Sequence, residues 1–472
     1  DDIAGVGFKI ADEIAKKVGI GSNSDYRIIS GIFYTLMRAL NEGHVFLPKR
    51  ILCRNAAHIL GVTPEDIEEH LLEMMIDRKI VIEEDEETRV YAAPQYHMEV
   101  NTARMLLDLN IHYDVSISEV ETMIAMIEET EQITFAEKQK EAIHAVAQDS
   151  IVVLTGGPGT GKTTTINGMI QYFEHEGLDI RLAAPTGRAA KRMTEATGYE
   201  AMTIHRMLEI NGEADRERDM KKGNASMFER NAGNPLETDV IIIDESSMVD
   251  IVLMQALLRA VESGSRIIFV GDVDQLPSVG AGNVLKDMIR SERLKVVRLQ
   301  HVFRQAQESA IIMNAHRINQ GEEPVLNEEG TDFFFMRRAY ADEVAGTIRE
   351  LVTKRLPKFT GCDGLQDMQI LTPMRKGTLG VQNLNQVLQQ TLNPAAPDKR
   401  EVQFRQITFR EGDKVMQIKN NYNTVWRMFN SLGKREDEGL GVYNGDAGVI
   451  LSIDSYAEQL RVTFDDGKVV DY

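Results

Sequence analysis

The chain has 472 residues, 43% hydrophobic and 27% charged, with a formal net charge of −20; at about 150 residues per domain, this length predicts about three domains. No apolar run reaches the roughly 18 residues that span a bilayer, which argues against membrane association. The only cysteines, Cys53 and Cys362, exclude a disulfide framework and favour a cytoplasmic location; the acidic surplus disfavours indiscriminate nucleic-acid binding but permits a local basic groove.

The N-terminal region is predicted to be mainly helical. In residues 1–25 a tight turn at Gly5-Val6-Gly7 precedes an amphipathic helix, which resembles the second half of a helix-hairpin-helix; a plain helix start is the alternative. Residues 26–128 contain further helical segments, including 48–60 and 64–77, followed by a hairpin of 79–83 with 89–92. This order indicates a winged-helix-like unit that serves either as scaffolding or as a DNA reader.

From Thr134 onward the pattern changes to alternating strands and helices. Alternation of this kind predicts an α/β fold, a parallel sheet with helices on both faces, over residues 129–293, with a polar insert at 209–238. A second αβ block is predicted for 294–401, and five short strands predict a small β-barrel over 402–472. The apolar segments predicted as sheet strands are 151–154, 180–184, 240–243 and 267–270, and the predicted barrel strands are 402–407, 414–417, 448–453, 459–464 and 469–472.

A P-loop is the strongest local signal. The run GGPGTGKT begins at Gly156, follows a predicted strand and opens a predicted helix, which is the context that such a phosphate-binding loop requires. Lys162 is predicted to lie against the β- and γ-phosphates, and the Thr163 hydroxyl to bind Mg²⁺. The residues predicted to bind ATP in this loop are Gly157, Pro158, Gly159, Thr160, Gly161, Lys162, Thr163 and Thr164.

Further polar residues follow the other predicted strands. Asp244 and Glu245 follow an apolar strand. Asp244 is predicted to bind Mg²⁺, and Glu245 to act as the base that activates water. Taken alone, the two residues are also consistent with a simple acidic turn. Gln275 is placed to contact a γ-phosphate or the attacking water, unless its loop is merely polar.

Two weaker candidates complete the predicted ATP site. The Gln139 amide suits an adenine edge, although local sequence favours a surface glutamine. Arg304 suits an arginine that neutralises transition-state charge, but its motif is weak in isolation.

Taken together, these stretches resemble the superfamily 1 DNA helicases of the RecD-like kind. The resemblance covers Thr134 to the end of the chain and rests on motifs in the family's order. The N-terminal GVGFKIADEIA and GHVFLP resemble the single-chain branch, which acts without RecB and RecC. The family motifs are FAEKQ, GGPGTGKTTT, APTGRAAKRM, TIHRML, IIIDESSMVD, VGDVDQLPSVGAG and LQHVFRQ.

The resemblance implies two RecA-like domains, the second incomplete here, with ATP between them and an SH3-like barrel inserted in the second. It also implies 5′→3′ movement along single-stranded DNA and duplex junctions, in DNA repair or recombination, with catalytic roles for Lys162, Glu245, Gln275 and Arg304. The insert at 209–238 would be a small strand-separating pin. The residues implied to contact the DNA backbone are Pro185, Thr186, Gly187, Arg188, Thr203 and His205; without the family, His205 reads as a structural histidine.

The sequence also departs from the family. A His-Lys-Ser-Gln-Gly type of motif and a final Thr-Arg-Ala segment, which supplies another arginine to the γ-phosphate, do not occur. We therefore expect a chain truncated at both ends, or part of a longer molecule, that binds nucleotide but hydrolyses it poorly.

The predicted protein is a monomeric ATP- and Mg²⁺-dependent helicase, with single-strand DNA-binding or repair proteins as candidate partners. Two alternatives remain open from the sequence. One is a DNA-binding recruitment module with a vestigial motor, which the intact Lys162 and Asp244 disfavour. The other is an ATPase that acts on RNA, which no motif here rules out.

Overall fold

The structure, a computed structural model, describes residues 8–17, 24–209, 228–328, 330–418, 421–430, 433–465 and 467–472. Within these ranges, no helix has both the length and the apolar character that crossing a membrane demands. The chain divides into two compact units, and each is described by itself. The first comprises Asp1–Pro185, Ala189–Glu308 and Ile312–Glu323, and the second comprises Thr186–Arg188, Ser309–Ile311 and Pro324–Tyr472.

The first unit begins with a helical region and a small sheet. Its elements are α1 (Phe8–Lys17), α2 (Asp25–Asn41), β1 (Phe46–Pro48), α3 (Lys49–Leu60), α4 (Pro64–Ile76), β2 (Ile80–Glu83), β3 (Arg89–Ala92), α5 (Ala93–Leu109) and α6 (Ile117–Glu131).

The strands β2 and β3 form the expected antiparallel hairpin, with Ile80 opposite Ala92, and β1 pairs with the other edge of β3. Helix α4 begins at a capping box, in which Thr63 and Asp66 exchange side-chain to backbone hydrogen bonds. The predicted turn at Gly5-Val6-Gly7 lies outside the described residues.

A parallel sheet forms the centre of the first unit, with its strands in the order β6-β5-β7-β8-β4-β9. Its elements are α7 (Glu137–Gln148), β4 (Ile151–Gly156), α8 (Lys162–His175), β5 (Ile180–Ala184), α9 (Gly187–Thr197), β6 (Ala201–Thr203), α10 (Ile204–Met207), β7 (Val240–Ile243), a 3-10 turn at Ser246–Met248, α11 (Ile251–Ala260), β8 (Arg266–Gly271), α12 (Val284–Arg290) and β9 (Lys295–Leu299), after which α13 (Arg304–Gln307) and α14 (Ala310–Asn319) follow in the chain.

Both faces of this sheet are buried. Along β4, Ile151 and Val153 belong to one apolar core, whereas Val152 and Leu154 belong to the core on the opposite face. Successive strand side chains point to opposite faces, so a strand covered on both sides has to be apolar at every position. This explains why the short, continuous apolar runs marked these strands in the sequence.

Two sequence-based domain boundaries differ from the structure. Helix α6 crosses the boundary at 128, and its Val120 and Ile124 pack into the core of the parallel sheet. Strand β9 pairs in parallel with β4, so the second αβ block predicted from 294 has not begun there. Sequence patterns locate elements but do not reveal which neighbouring core a helix or strand joins.

The second unit combines helices with an antiparallel sheet. Its elements are α15 (Ala341–Glu350), a π-helical turn at Leu351–Arg355, α16 (Leu356–Thr360), α17 (Val381–Leu392), β10 (Glu401–Phe404), β11 (Ile407–Arg410), β12 (Lys414–Met416), β13 (Asn421–Phe429), β14 (Arg435–Val442), β15 (Ala447–Asp454), β16 (Gln459–Phe464) and β17 (Val469–Asp471).

Before β10, the described part of this unit contains helices and extended segments but no strand. Apolar side chains in this part of the chain are exposed to solvent: the exposed fraction is 60% for Phe334 and 87% for Leu371. Between β9 and β10, the described residues of the second predicted αβ block thus form helices and irregular segments but no strand.

The C-terminal strands form a six-stranded sheet in the order β12-β15-β16-β17-β13-β14. A single strand over 402–407 was wrong: Arg405, with φ of 57°, lies in a turn that divides this segment into the separate β10–β11 hairpin. The long β13–β14 hairpin was missed, because many of its side chains are exposed and polar and its apolar alternation is correspondingly weak.

Glu99 carries a half-buried carboxyl group on α5, the helix whose Leu106 and Leu109 pack into one core of the parallel sheet. Burial raises the pKa of Glu99, on α5, to about 7, and the negative charge of Asp287, on α12, adds to the effect. Burial raises the pKa of Asp287 as well. Protonated Glu99 therefore stabilises the fold fully below its unfolded pKa of 4.5, and this contribution is lost as the pH rises through about 7.

We expect Glu99→Gln to raise the free energy of unfolding at pH 8 by about 1–2 kcal/mol, a value discounted for partial solvent exposure. The variant should also lose much of the wild-type decline in stability between pH 5 and 7, measured by urea denaturation across that range. Glu69→Gln, at an exposed site on α4, is the matched control. Parallel pH profiles for the wild type and Glu99→Gln would contradict this prediction.

Candidate nucleotide-binding site

The carboxyl ends of the parallel strands assemble the predicted motifs at one edge of the sheet. β4 leads into the P-loop, β7 into Asp244 and β8 into Asp272, while β5 and β6 lead into Pro185 and Thr203. The strands all run in the same direction, so groups that are distant in sequence meet at the edge where open α/β sheets bind their ligands.

The P-loop has the backbone geometry of a tight phosphate-binding turn. Gly159 and Gly161 have φ of 75° and 80°, in the left-handed region that side chains disfavour. A Cβ on Gly161 would lie 2.7 Å from both the Phe303 ring and the Gln139 amide nitrogen. Glycine at this position therefore meets both a conformational and a steric requirement.

Side chains of the loop and of α8 donate hydrogen bonds to the first two P-loop carbonyl groups, those of Gly156 and Gly157. Lys162 Nζ donates to the carbonyl oxygens of Gly156 and Gly157 at 2.7 and 3.1 Å. The Thr160 hydroxyl donates to the Gly157 carbonyl at 2.8 Å. The ammonium group thus lies directly against the loop whose phosphate it is predicted to contact.

Segments more distant in sequence donate hydrogen bonds to three further P-loop carbonyl groups. The Phe303 amide donates to Gly159 O at 3.1 Å, and His316 Nε2 lies 3.0 Å from Pro158 O. Gln139 Nε2 donates to Gly161 O at 3.2 Å. A loop whose carbonyls are bound from outside can direct its amide groups inward, as anion binding requires.

Gln139 is not the surface residue that its local sequence favours. Its side chain is 2% exposed, and its Oε1 accepts a hydrogen bond from the Ala136 amide at 2.9 Å. The structure therefore places this amide beside the loop, as an adenine or loop contact requires. Thr163 and Thr164 are exposed at the start of α8.

Arg304 begins the short helix α13, one residue after the Phe303 amide that contacts the P-loop. Its backbone is therefore close to the loop in the first unit. Its side chain is not among those described, and its catalytic role stays a prediction.

The positive charge of Lys162 acts on both carboxyl groups that follow β7, those of Asp244 and Glu245. Burial raises the pKa of Asp244, while the Glu245 amide, which donates to Asp244 Oδ1 at 2.8 Å, and the charge of Lys162 lower it. Burial also raises the pKa of Glu245, and the charge of Asp244 raises it further. A carboxyl group shifted toward neutral pH is better suited to accept a proton than an unperturbed one.

A cavity of about 490 Å³ opens beside the P-loop. Gln275 is exposed and lines it, together with Asp272, which is buried. The wall also includes Gln300, from the LQHVFRQ motif. Sequence reasoning missed other residues of the wall, because no local motif marks them as neighbours of the loop: Arg298, Ala315, His316, Asn319 and Gln320. The only available signal was the helical spacing of 315, 316, 319 and 320, which puts them on one face of α14 and its C-terminal end.

The donor set around Asp244 suits a magnesium ion. Among the described residues, no group of three or more His, Cys, Asp or Glu side chains could hold a metal by itself. Mg²⁺ in nucleotide sites binds through one or two protein oxygens, with phosphate and water completing its shell. The Asp244 carboxylate and the Thr163 hydroxyl fit that pattern, and a bound ion would neutralise phosphate charge.

The predicted DNA-contacting residues lie near the same sheet edge but differ in exposure. Arg188 is exposed in the first turn of α9. Thr203 is buried, and its hydroxyl accepts from the Arg206 amide at 3.1 Å as the cap of α10. Burial lowers the pKa of His205, whose ring lies 6.0 Å from that of Phe228. Thr203 thus caps α10 and the His205 ring is partly buried, and their contacts with DNA stay predictions. Residues 210–227 of the predicted pin lie outside the described residues.

Sequence families match three parts of the chain. Residues 134–333 match a family described as an AAA domain, which covers the P-loop and the sheet. Residues 384–464 match the SH3 domain of ATP-dependent RecD-like DNA helicases, and residues 1–46 match the HHH domain of ATP-dependent RecD2 DNA helicases. The chain resembles the RecD-like helicases in all three parts. The predicted α/β fold, with a helix-hairpin-helix region before the P-loop domain and an SH3-like domain after it, is confirmed by these matches.

Individual relatives agree with this placement. The chain is 31% identical to the ATP-dependent RecD2 DNA helicase of Deinococcus radiodurans over all of its own length and 60% of that protein. It is 28% identical to the RecBCD enzyme subunit RecD of Mycolicibacterium smegmatis over 67% of the chain and 57% of that subunit. The chain therefore spans somewhat more than half the length of these RecD-like relatives.

Solved Pif1 helicases also show similarity. A structure of two coordinating Pif1 helicases at forked double-stranded DNA aligns with a TM-score of 0.35 and 20% identity, over 72% of this chain and 76% of that one. Pif1 helicase from Candida albicans gives a TM-score of 0.32 and 18% identity, over 72% and 78%.

We expect Gly161→Ala to weaken nucleotide binding about tenfold, because the added methyl group meets Gln139 and Phe303 and strains a left-handed backbone. Gly177→Ala is the matched control: its φ is 70°, but nothing lies within 4 Å of the new methyl group. It should lower stability while leaving the dissociation constant unchanged, as measured by titration with a fluorescent ATP analogue. Equal weakening in both variants would contradict the steric explanation.

Proposed function

We propose that this chain is the motor part of an ATP-dependent DNA helicase that moves 5′→3′ along single-stranded DNA. The observation that carries the proposal is the common sheet edge. There the P-loop, the carboxylates after β7 and the APTGR segment after β5 follow neighbouring parallel strands. A change at the phosphate site can therefore be transmitted directly to a strand end that is predicted to hold DNA.

The ATPase roles follow from the positions of the charged groups. Lys162 is free to exchange its P-loop carbonyl partners for phosphate oxygens, since both contacts are made by one flexible ammonium group. Asp244 and Thr163 would hold Mg²⁺, and Glu245, with its raised pKa, would orient water and accept its proton. Gln275 would contact the γ-phosphate from the cavity wall, and Arg304 would supply positive charge to the transition state.

The DNA role rests on exposed groups and on the relatives. Pro185, Thr186, Gly187 and Arg188 follow β5 with Arg188 exposed, which suits contacts to a phosphate backbone without reading sequence. Relatives that match the chain are named as RecD2 DNA helicase and RecBCD subunit RecD. These names support DNA rather than RNA as the polymer and a place in repair or recombination. A monomeric state and a cytoplasmic location stay predictions from the sequence.

We expect Lys162→Ala to reduce ATP hydrolysis by a factor on the order of 10² or more, because the variant loses the positive charge at the phosphates. Wild-type hydrolysis, however slow, should rise when single-stranded DNA is added, and the rise should vanish in the variant. Phosphate release measured with and without DNA tests this expectation. Lys79→Ala is the control, because its exposed ammonium group pairs with Asp77 on the surface of the N-terminal region, outside all the motifs.

The polymer and the polarity need a separate assay. Duplexes with 5′ or 3′ single-stranded tails, in DNA and in RNA, should be unwound only when DNA carries a 5′ tail. DNA binding together with ATP hydrolysis that DNA never stimulates would instead support a recruitment module. Unwinding of tailed RNA would contradict the choice of DNA.

A further inference from the structure

Helix α14 lies against the P-loop through one histidine that belongs to none of the helicase motifs. His316 Nε2 is 3.0 Å from the Pro158 carbonyl oxygen. A carbonyl oxygen can only accept a hydrogen bond, so Nε2 must carry the proton in this contact. His316 is therefore a donor to the loop, and it reaches the loop across 158 positions of sequence.

The imidazole also packs directly on the loop backbone. A Cβ placed on Gly157 would lie 2.7 Å from the His316 Cε1 atom, which is closer than side chains approach one another. Gly157 thus provides a flat surface on which the ring rests, and outward movement of this peptide would press against the ring. The same ring forms part of the cavity wall beside the loop.

The other P-loop carbonyls show why this donor matters. Those of Gly156 and Gly157 are bound by Lys162, and that of Gly161 is bound by Gln139. Lys162 is expected to leave its carbonyls when it binds phosphate, whereas His316 and the Phe303 amide bind theirs from outside the loop. Binding of phosphate by Lys162 would therefore leave the contacts from outside the loop in place, together with that of the Thr160 hydroxyl.

We propose that His316 is a positioning residue for the phosphate-binding loop. It fixes the Pro158–Gly159 peptide, to which the Pro158 carbonyl belongs, so that the loop amides face inward, and it acts on the nucleotide only through that backbone. The inference rests on the proposed nucleotide-dependent function and adds a determinant of affinity for the α- and β-phosphates. Because ADP and ATP share those phosphates, His316 should influence both nucleotides equally.

The test compares His316→Ala with His316→Gln, since glutamine can place an N–H donor near the position of Nε2. We expect His316→Ala to weaken both ADP and ATP about fivefold, as loss of one hydrogen bond implies, and His316→Gln to restore most of that loss. Fluorescent ADP and ATP analogues report the dissociation constants, and the KM for ATP should rise more than kcat falls. His175→Ala, at an exposed site at the end of α8, is the control.

The outcomes separate this inference from the proposed function. Weakened ATP with unchanged ADP would show direct γ-phosphate contact and overturn the positioning role. Unchanged affinity in His316→Ala, with wild-type thermal stability, would overturn it as well. A wild-type chain that binds neither nucleotide would contradict the proposed function, and the role of His316 with it. If His316→Ala is unstable, weak binding by a stable His316→Gln variant would also count against the donor role.

Discussion

The outward carbonyl groups of the P-loop impose the constraint on which the rest of this site depends. A loop that binds an anion with its amides has to turn its carbonyl oxygens away, and oxygens near a packed interior need donors. The donors here come from widely separated parts of the chain: Gln139 before the sheet, Phe303 after its last strand, and His316 on a later helix. The loop is thus shaped by its surroundings as much as by its glycines.

The parallel sheet makes that convergence possible. Its strands are covered on both faces, so they are apolar throughout and their polar residues are confined to the ends. At the carboxyl edge, Lys162 and the Asp244–Glu245 pair come within electrostatic range of one another. Pro185 and Thr203 follow β5 and β6 directly, at the same end of the sheet as the P-loop.

The sequence predicted what depends on neighbours along the chain. The strands 180–184 and 240–243 have the bounds that their apolar runs indicated, and the P-loop lies between a strand and a helix as its motif requires. Contacts between distant segments could not be predicted in this way. Nothing near His316 marks it as a neighbour of Pro158, and nothing in the local pattern of Gln139 indicates burial. The β13–β14 hairpin escaped notice because exposed strands carry little apolar alternation.

The N-terminal helices α5 and α6 are part of the two cores of the parallel sheet, not a separate module attached to it. Leu106 and Leu109 of α5 belong to one core of the parallel sheet, and Val120, Ile124 and Ile127 of α6 belong to the other. In addition, the Gly282 amide, just after the loop that carries Gln275, donates to the Gly43 carbonyl at 3.1 Å. A fragment that begins at residue 129, the predicted start of the P-loop domain, would lack these side chains and would expose apolar surface on both faces of its sheet. The smallest fragment that keeps both faces of the sheet covered therefore begins before α5.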